Sequence, residues 1–215
     1  MTRPYDESFL ARQAVRTRPH RLAFYRRVAL GTLGEILEVG AGSGEIIGEI
    51  AGRSKARCVG LEPDANLLDI ARKRHPDVDF QPSSGEQIPY PDASFDLVLA
   101  HFALMWCQNP TAVIREMYRV TRSGGWVAAL AEPDYGGFIV SPPIDISAEE
   151  QELKRLGAHT RLGRELSRLF GSMRWGVLEY GVLGADQSAL ADDTFLGGKA
   201  ELVFLPIFWA WGRKA

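Results

Sequence analysis

The segment Ile36-Leu37-Glu38-Val39-Gly40-Ala41-Gly42-Ser43-Gly44-Glu45 constrains this chain more than any other stretch. A short apolar run stops at three glycines in alternate positions, and helical patterning resumes at once. Strand, glycine turn and helix in that order open a parallel βαβ unit. Glycine lets the backbone turn sharply and approach a ligand closely. The helix that follows offers free N–H groups at the same point. Open α/β sheets bind their ligands there, beyond the carboxyl ends of the strands. Spacing narrows the ligand. A dinucleotide loop reads G-x-G-x-x-G, whereas position 45 here is Glu. A carboxylate beside a pyrophosphate is unfavourable, which counts against a dinucleotide oxidoreductase. The Gly-Lys-Ser/Thr ending of a P-loop is absent. The loop therefore suits a nucleoside ligand without phosphates.

The rest of the chain extends the alternation. Residues 8–28 read as a helix, with Phe9, Val15, Leu22 and Val28 among its apolar positions. Ile36–Val39 is a strand and Glu45–Gly52 a helix. Ala56–Leu61 is the second strand. Asp64 looks like the N-cap of a helix over Ala65–His75, which Pro76 ends. Val78–Gln81 and Phe95–His101 are the third and fourth strands. Asn109-Pro110 starts a helix that runs to Thr121. Ser123-Gly124-Gly125 makes a turn, and Trp126–Ala131 is the fifth strand. Residues 132–146 hold three Pro and two Gly and read as a long loop. Ser147 with Glu150 predicts a capping box for one helix reaching Phe170. Trp175–Val182 and Glu201–Trp211 are the last strands, joined by the weakly patterned connection Gly184–Gly198. Two strands without a helical crossover suit an antiparallel pair. Pro206 removes a ladder donor, so a bulge or break is expected there.

Carboxylates add to the loop's chemistry. Glu62 ends the second strand, where an acid hydrogen-bonds ribose hydroxyls. Glu38 sits just before the loop. Such a site favours a positively charged ligand over a phosphate. At this point the chain resembles the class I methyltransferases that use S-adenosylmethionine. The loop is similar to that family's E/D-x-G-x-G-x-G. Gly85-Glu86-Gln87-Ile88-Pro89-Tyr90-Pro91-Asp92-Ala93-Ser94-Phe95-Asp96-Leu97-Val98 resembles its "DAExLPFPDxSFDxV" segment. Arg115-Glu116-Met117-Tyr118-Arg119-Val120-Thr121-Arg122-Ser123-Gly124-Gly125 resembles its "RExxRVLKPGG" helix and turn. The likeness covers residues 30–135 in the family's order.

The resemblance implies an α/β fold: a Rossmann-like, doubly wound, mostly parallel seven-stranded sheet with an antiparallel strand near the C-terminus. It implies a single methyltransferase domain over 1–215, with a helical cap segment (1–30), a cofactor-binding core (31–135) and a substrate side (136–215). Glu38, Gly40, Ala41, Gly42 and Gly44 would hold the methionine half of S-adenosylmethionine, and Glu62 the ribose. Pro63 and Leu67 would lie near the adenine. The family often has Asp before "A-E" for the adenine amino group; here Ser84-Gly85-Glu86 stands in its place. Ser84 brings no charge, so either affinity falls or Glu86 covers part of the role. Otherwise Glu86 is a loop carboxylate.

Methyl transfer from a sulfonium mainly needs proximity and alignment. A base is needed only where the acceptor has a proton to lose. His101, at the end of the fourth strand, is the catalytic candidate. It is also a candidate cofactor or substrate contact, or a strand-end histidine bonded to backbone. Tyr5, Phe9, Phe102, Trp106, Tyr135 and Phe138 cluster around the expected pocket. Of these, Tyr5, Phe9, Trp106 and Tyr135 are the substrate candidates, as a wall for an apolar or aromatic-bearing small molecule; core packing is the other reading. Asp134 is expected to be solvated. Ala100-His101-Phe102-Ala103 lacks the D/N-P-P-Y/F of amino-methylating DNA enzymes.

Charge and composition limit the partners. The 215 residues suit one domain. At 46% hydrophobic and 24% charged, the chain is close to the globular average. A net charge of -2 gives no overall field for nucleic acid. Locally, residues 1–30 carry seven Arg against Asp6 and Glu7. Arg12, Arg16, Arg18, Arg21, Arg26 and Arg27 form either a basic face for anions or a solvated helix surface. Cys58 and Cys107, in buried strand or strand-end positions, make no CxxC and no metal cluster, so no metal is expected. They fit a reducing, cytoplasmic setting. No secretory h-region or membrane-length apolar run is present. A cofactor-binding regulator of the same fold, without turnover, is the alternative function.

Overall fold

The computed structural model describes residues 7–141, 143, 145–183 and 202–215. Tyr5 and the connection Gly184–Gly198 lie outside the described residues. The glycine turn follows strand β1 (Glu35–Val39) and leads into helix α2 (Glu45–Ala51). Helix α1 (Glu7–Arg27) precedes both. Strand β2 (Arg57–Leu61) lies parallel to β1, with Leu37 opposite Val59. Helix α3 (Ala65–Arg74) is capped by Asp64, whose Oδ1 accepts from Asn66 N (2.9 Å) and Leu67 N (3.2 Å). Strands β3 (Asp79–Gln81) and β4 (Phe95–Ala100) follow. Asn109 caps helix α4 (Pro110–Val120) through Ala112 N at 3.0 Å.

Strand β5 (Thr121–Pro133) is longer than its apolar run predicts. Ser123–Gly125 is an irregularity inside it, where the register against β4 jumps from Phe95↔Thr121 to Leu97↔Trp126. The chain continues through β6 (Ile139–Ser141), α5 (Ser147–Arg155), α6 (Leu166–Gly171), β7 (Trp175–Val182), β8 (Leu202–Phe204) and β9 (Ile207–Lys214). Among the described residues the main sheet has the order β3-β2-β1-β4-β5-β9-β7. β9 runs antiparallel to both neighbours, and the other pairs are parallel.

The parallel strands are buried on both faces, which is why they read as continuous apolar runs. Leu37, Val98, Val127 and Ala129 point toward α4 and α6. Ile36, Leu97, Leu99 and Ala128 point toward α1, α2 and α3. The strand order reverses between β1 and β4, and the crevice at such a switch point is where these sheets take ligands.

Four expectations need correction. Residues 132–146 are not a structureless loop: β5 continues to Pro133, a 3-10 turn covers Tyr135–Gly137, and β6 pairs with β8. Residues 147–170 are not one helix. Gly157, at φ +90°, closes α5 as a Schellman motif, with Gly157 N on Lys154 O and Ala158 N on Leu153 O, both 2.9 Å. The capping box does not form. Asp145 Oδ1 accepts from Ser147 N at 2.9 Å, and Glu150 turns instead to Thr160 Oγ1 at 2.9 Å. In α1, Val15 is 70% exposed, while Ala14, Phe24, Tyr25 and the polar Thr17 and Arg21 are buried. The break at Pro206 is present: β8 stops at Phe204 and β9 starts at Ile207, in different sheets.

Candidate active site

Gly40, Gly42 and Gly44 all take left-handed backbone, with φ of +72°, +55° and +86°. Gly40 N and Ala41 N bond Leu61 O at 2.8 and 2.9 Å, which holds the turn across the end of β2. A β carbon on Gly40 would lie 2.5 Å from Ala103 Cβ, so the turns after β1 and β4 press together there. Glu62 is fully buried. Its Oε2 accepts from Gly42 N (2.8 Å) and its Oε1 from Asp64 N (2.9 Å), tying the loop to the start of α3. Glu38 is also buried, and its Oε2 accepts from Ile47 N at 2.9 Å. It thereby caps α2 from β1, since the N-cap Gly44 has no side chain to do so. Burial pushes the Glu38 carboxyl well above the usual range; Ile47 N–H and Arg21 oppose this, while Glu62 and Glu45 add to it.

Helix α1 lies over this loop. A β carbon on Gly42 would meet Leu10 Cδ1 at 3.2 Å. Two turns on from Leu10, Thr17 Oγ1 stands 2.7 Å from His101 Nε2. Arg21 donates from Nη1 to Thr17 Oγ1 and Ala14 O, each at 2.6 Å, and from Nη2 to Glu49 Oε2 on α2 at 2.8 Å. Arg21 is therefore an internal tie and not part of the basic face. Burial first, then Arg21 and His20, hold His101 well below its ordinary pKa, so the ring is neutral.

The turn after β4 is built with strain. Phe102 has φ +51°, a region costly for a bulky residue. Its N–H bonds Ala131 O at 2.8 Å, and its ring meets His101 edge-on at 4.8 Å. The 3-10 turn Leu104–Trp106 that follows is capped by Glu132 from the end of β5. Oε1 accepts from Ala103 N (3.1 Å) and Leu104 N (2.9 Å), and Oε2 from Met105 N (3.2 Å). Burial pushes the Glu132 carboxyl up to about 7, against those three N–H groups.

The turns after β4 and β5 share one support. His159 N bonds Met105 O at 2.7 Å, and Tyr135 N bonds Thr160 O at 2.8 Å. Half-buried Trp106 and Tyr135 pack on the same apolar cluster. Phe9 is half-buried on α1. Asp134 is not solvated: it is 1% exposed, paired through both oxygens with Arg164, and its N–H bonds Pro206 O at 2.9 Å.

On the opposite flank, Pro63 is exposed and Leu67 half-buried, in the first turn of α3. Ser84 is exposed, Gly85 buried and Glu86 half-buried, with Glu86 Oε1 facing Asn109 N at 3.4 Å. Glu116 and Arg119 on α4 clamp the residues that follow, 88–92. Glu116 accepts from Ile88 N at 3.0 Å, and Arg119 donates to Tyr90 O (2.9 Å), Ile88 O (3.0 Å) and Asp92 (2.8 Å). Sequence reasoning missed Glu132, Thr17 and the inward role of Arg21. An acid in the apolar run Ala128–Ala131 to Pro133 was a signal for Glu132. Nothing local marked Thr17, whose partner is 84 residues away.

Residues 37–129 match the methyltransferase domain family. The malonyl-[acyl-carrier protein] O-methyltransferase of Marinomonas sp. is 30% identical over 96 residues, 43% of this chain and 36% of that protein. The demethylmenaquinone methyltransferase of Renibacterium salmoninarum is 31% identical over 121 residues, 53% of this chain and 51% of that protein. The chain thus spans about half the length, or less, of the curated relatives it matches. A solved structure from Thermotoga maritima, described as a SAM-dependent methyltransferase and possible histamine N-methyltransferase, superposes with TM-score 0.57 at 22% identity. It covers 85% of this chain and 83% of its own. That likeness shows the fold.

Proposed function

Residues 37–129 match the methyltransferase domain family, and from that premise we propose that the chain moves a methyl group from S-adenosylmethionine to a small acceptor. The observation that carries the reading is the glycine loop at the β1/β4 switch point, with Glu38, Glu45 and Glu62 around it. Three left-handed glycines let the backbone turn sharply here, with Ala103, Leu10 and the His75–Phe80 pair packed where their β carbons would stand. These acids offer a pyrophosphate no cation, and as hydrogen-bond acceptors they suit a cationic sulfonium with its ammonium group. The residues present therefore fit the cofactor.

When bound, that cofactor supplies an already activated methyl group. The chain's own work is to bind, orient and exclude water. In this reading Gly40, Ala41, Gly42 and Gly44 hold the methionine half, with Glu38 fixing the start of α2 behind them. Glu62 takes the ribose. Pro63 and Leu67 flank the adenine, and Ser84, Gly85 and Glu86 meet its edge. His101 stands at the reacting end. Phe9, Trp106 and Tyr135 wall an apolar or aromatic-bearing acceptor. The two relatives named above differ in acceptor, so neither name is transferred. A cytoplasmic setting belongs to the same proposal, in keeping with Cys58 and Cys107 both being free. No helix among the described residues is long and apolar enough to cross a membrane.

Calorimetric titration with S-adenosylmethionine and S-adenosylhomocysteine tests the reading. Both are expected to bind wild type. Glu62→Ala is expected to weaken binding about tenfold or more, as removal of a charge-assisted hydrogen bond does. A folded protein that binds neither overturns it. Binding without methyl transfer across an acceptor panel supports the regulator instead, which the uncharged, exposed Ser84 favours.

A further inference from the structure

Thr17 Oγ1 has three partners: Gln13 O at 3.0 Å, Arg21 Nη1 at 2.6 Å and His101 Nε2 at 2.7 Å. A hydroxyl has one proton and two acceptor sites. Arginine only donates, so it occupies one acceptor site. A carbonyl only accepts, so Gln13 O takes the hydroxyl proton, in the i−4 manner common for helical threonine. The remaining site must accept from His101. No other assignment satisfies all three contacts, and it places a proton on Nε2. The same geometry is held from beneath, because Arg21 is anchored to Glu49 on α2.

We propose that Thr17 is the positioning residue for His101, fixing it as the Nε2–H tautomer with Nδ1 as its basic atom. Its relevance to methyl transfer rests on the reading above. The bridge also joins α1 to the end of β4. The charged and titratable groups facing the ring are Arg21 and His20, both on α1 and both opposing a second proton. An acceptor hydroxyl or amine at this point would donate its hydrogen bond to Nδ1, while Nε2 stays occupied. His101 would then orient the acceptor without turning, since α1 holds the opposite edge of the ring.

The test is the nitrogen-15 spectrum of the imidazole side chains in labelled full-length protein, with S-adenosylhomocysteine added. His101→Gln assigns the signal. Wild type is expected to show a protonated Nε2 and a bare Nδ1, unchanged as pH falls through the ordinary histidine range. Thr17→Val removes the acceptor and is expected to yield a mixture of both tautomers. Thr17→Ser is expected to restore the wild-type pattern. A protonated Nδ1 in wild type overturns the proposal, and this needs no variant to fold. A folded Thr17→Val with the wild-type spectrum overturns it too. Failure of the cofactor reading shows separately, as calorimetry without heat while the tautomer stands.

Discussion

At Glu132 a carboxylate with no exposed surface accepts three consecutive N–H groups of the turn that carries Trp106. Its proton is held more tightly in the fold than in the unfolded chain, where it leaves near 4.5. The stability this gives is complete below about 4.5 and fades as pH rises through about 7. The difference is worth roughly 3 kcal/mol. Glu132→Gln cannot titrate, and its amide faces one N–H group with a donor, at a cost of about 1–3 kcal/mol. Wild type should therefore lose stability relative to the variant between pH 5 and 7. Urea midpoints measured across that range check this, and parallel curves would refute it. Gly40 is sensitive for a different reason. Alanine there needs a left-handed backbone, and its methyl would lie 2.5 Å from Ala103 Cβ. Gly40→Ala should cost about 2–4 kcal/mol, read by urea unfolding, because strain and overpacking add.

Among the elements, α1 departs furthest from a simple amphipathic pattern. Its buried stripe includes Thr17 and Arg21, and its exposed side carries Val15. Pro19 sits on that exposed side, where the hydrogen bond it removes faces water. Arg21 and Glu49 join α1 to α2 with Arg21 only 1% exposed. Removing Arg21 takes a buried donor from Ala14 O and Thr17 Oγ1 and leaves Glu49 with only the longer pairs to Arg53 (3.5 Å) and Arg18 (3.9 Å). Arg21→Ala should thus destabilise by about 3–5 kcal/mol, and Arg21→Met with Glu49→Leu by much less. Denaturant unfolding of both variants decides it, and equal losses would argue against a buried-charge effect. These ties show why part of the site was not legible. Asp64 and Asn109-Pro110 act on residues within four positions, and the glycine loop shows in its own spacing between strand and helix, so their meaning could be read locally. Thr17 and Arg21 act on β4 and α2, and a helix sequence alone gives them the look of a polar surface. Gly157, which ends α5, carries a stop signal that the expectation of a single helix to Phe170 did not use. The "REMYRV" segment carried real information of another kind, since Glu116 and Arg119 are clamps for residues 88–92 and lie outside the glycine-loop crevice.

At the scale of the whole molecule, ligand and fold should be linked. S-adenosylhomocysteine at 100 times its Kd adds about 2.7 kcal/mol to a fold that alone binds it. For a domain of this size that raises Tm by about 5–10 °C. Thermal scans with and without the ligand check it, and Glu62→Ala should shrink the shift. The sheet order carries a consequence for synthesis. β9 is formed by residues 207–214 yet lies between β5 and β7, pairing with both. While the ribosome is still adding those residues, β5 has no neighbour on one side and β7 has none in the sheet at all. The strand pairing of β1 to β5 can form as the chain emerges, while α6 and Trp211 arrive later to complete the packing on its two faces. The rest of the sheet waits for the insertion of one strand. During that interval Trp175, Tyr180 and the apolar side of β5 are open to other chains. Nascent-chain crowding and chaperone supply should therefore govern the yield of this protein more than the stability of its finished fold.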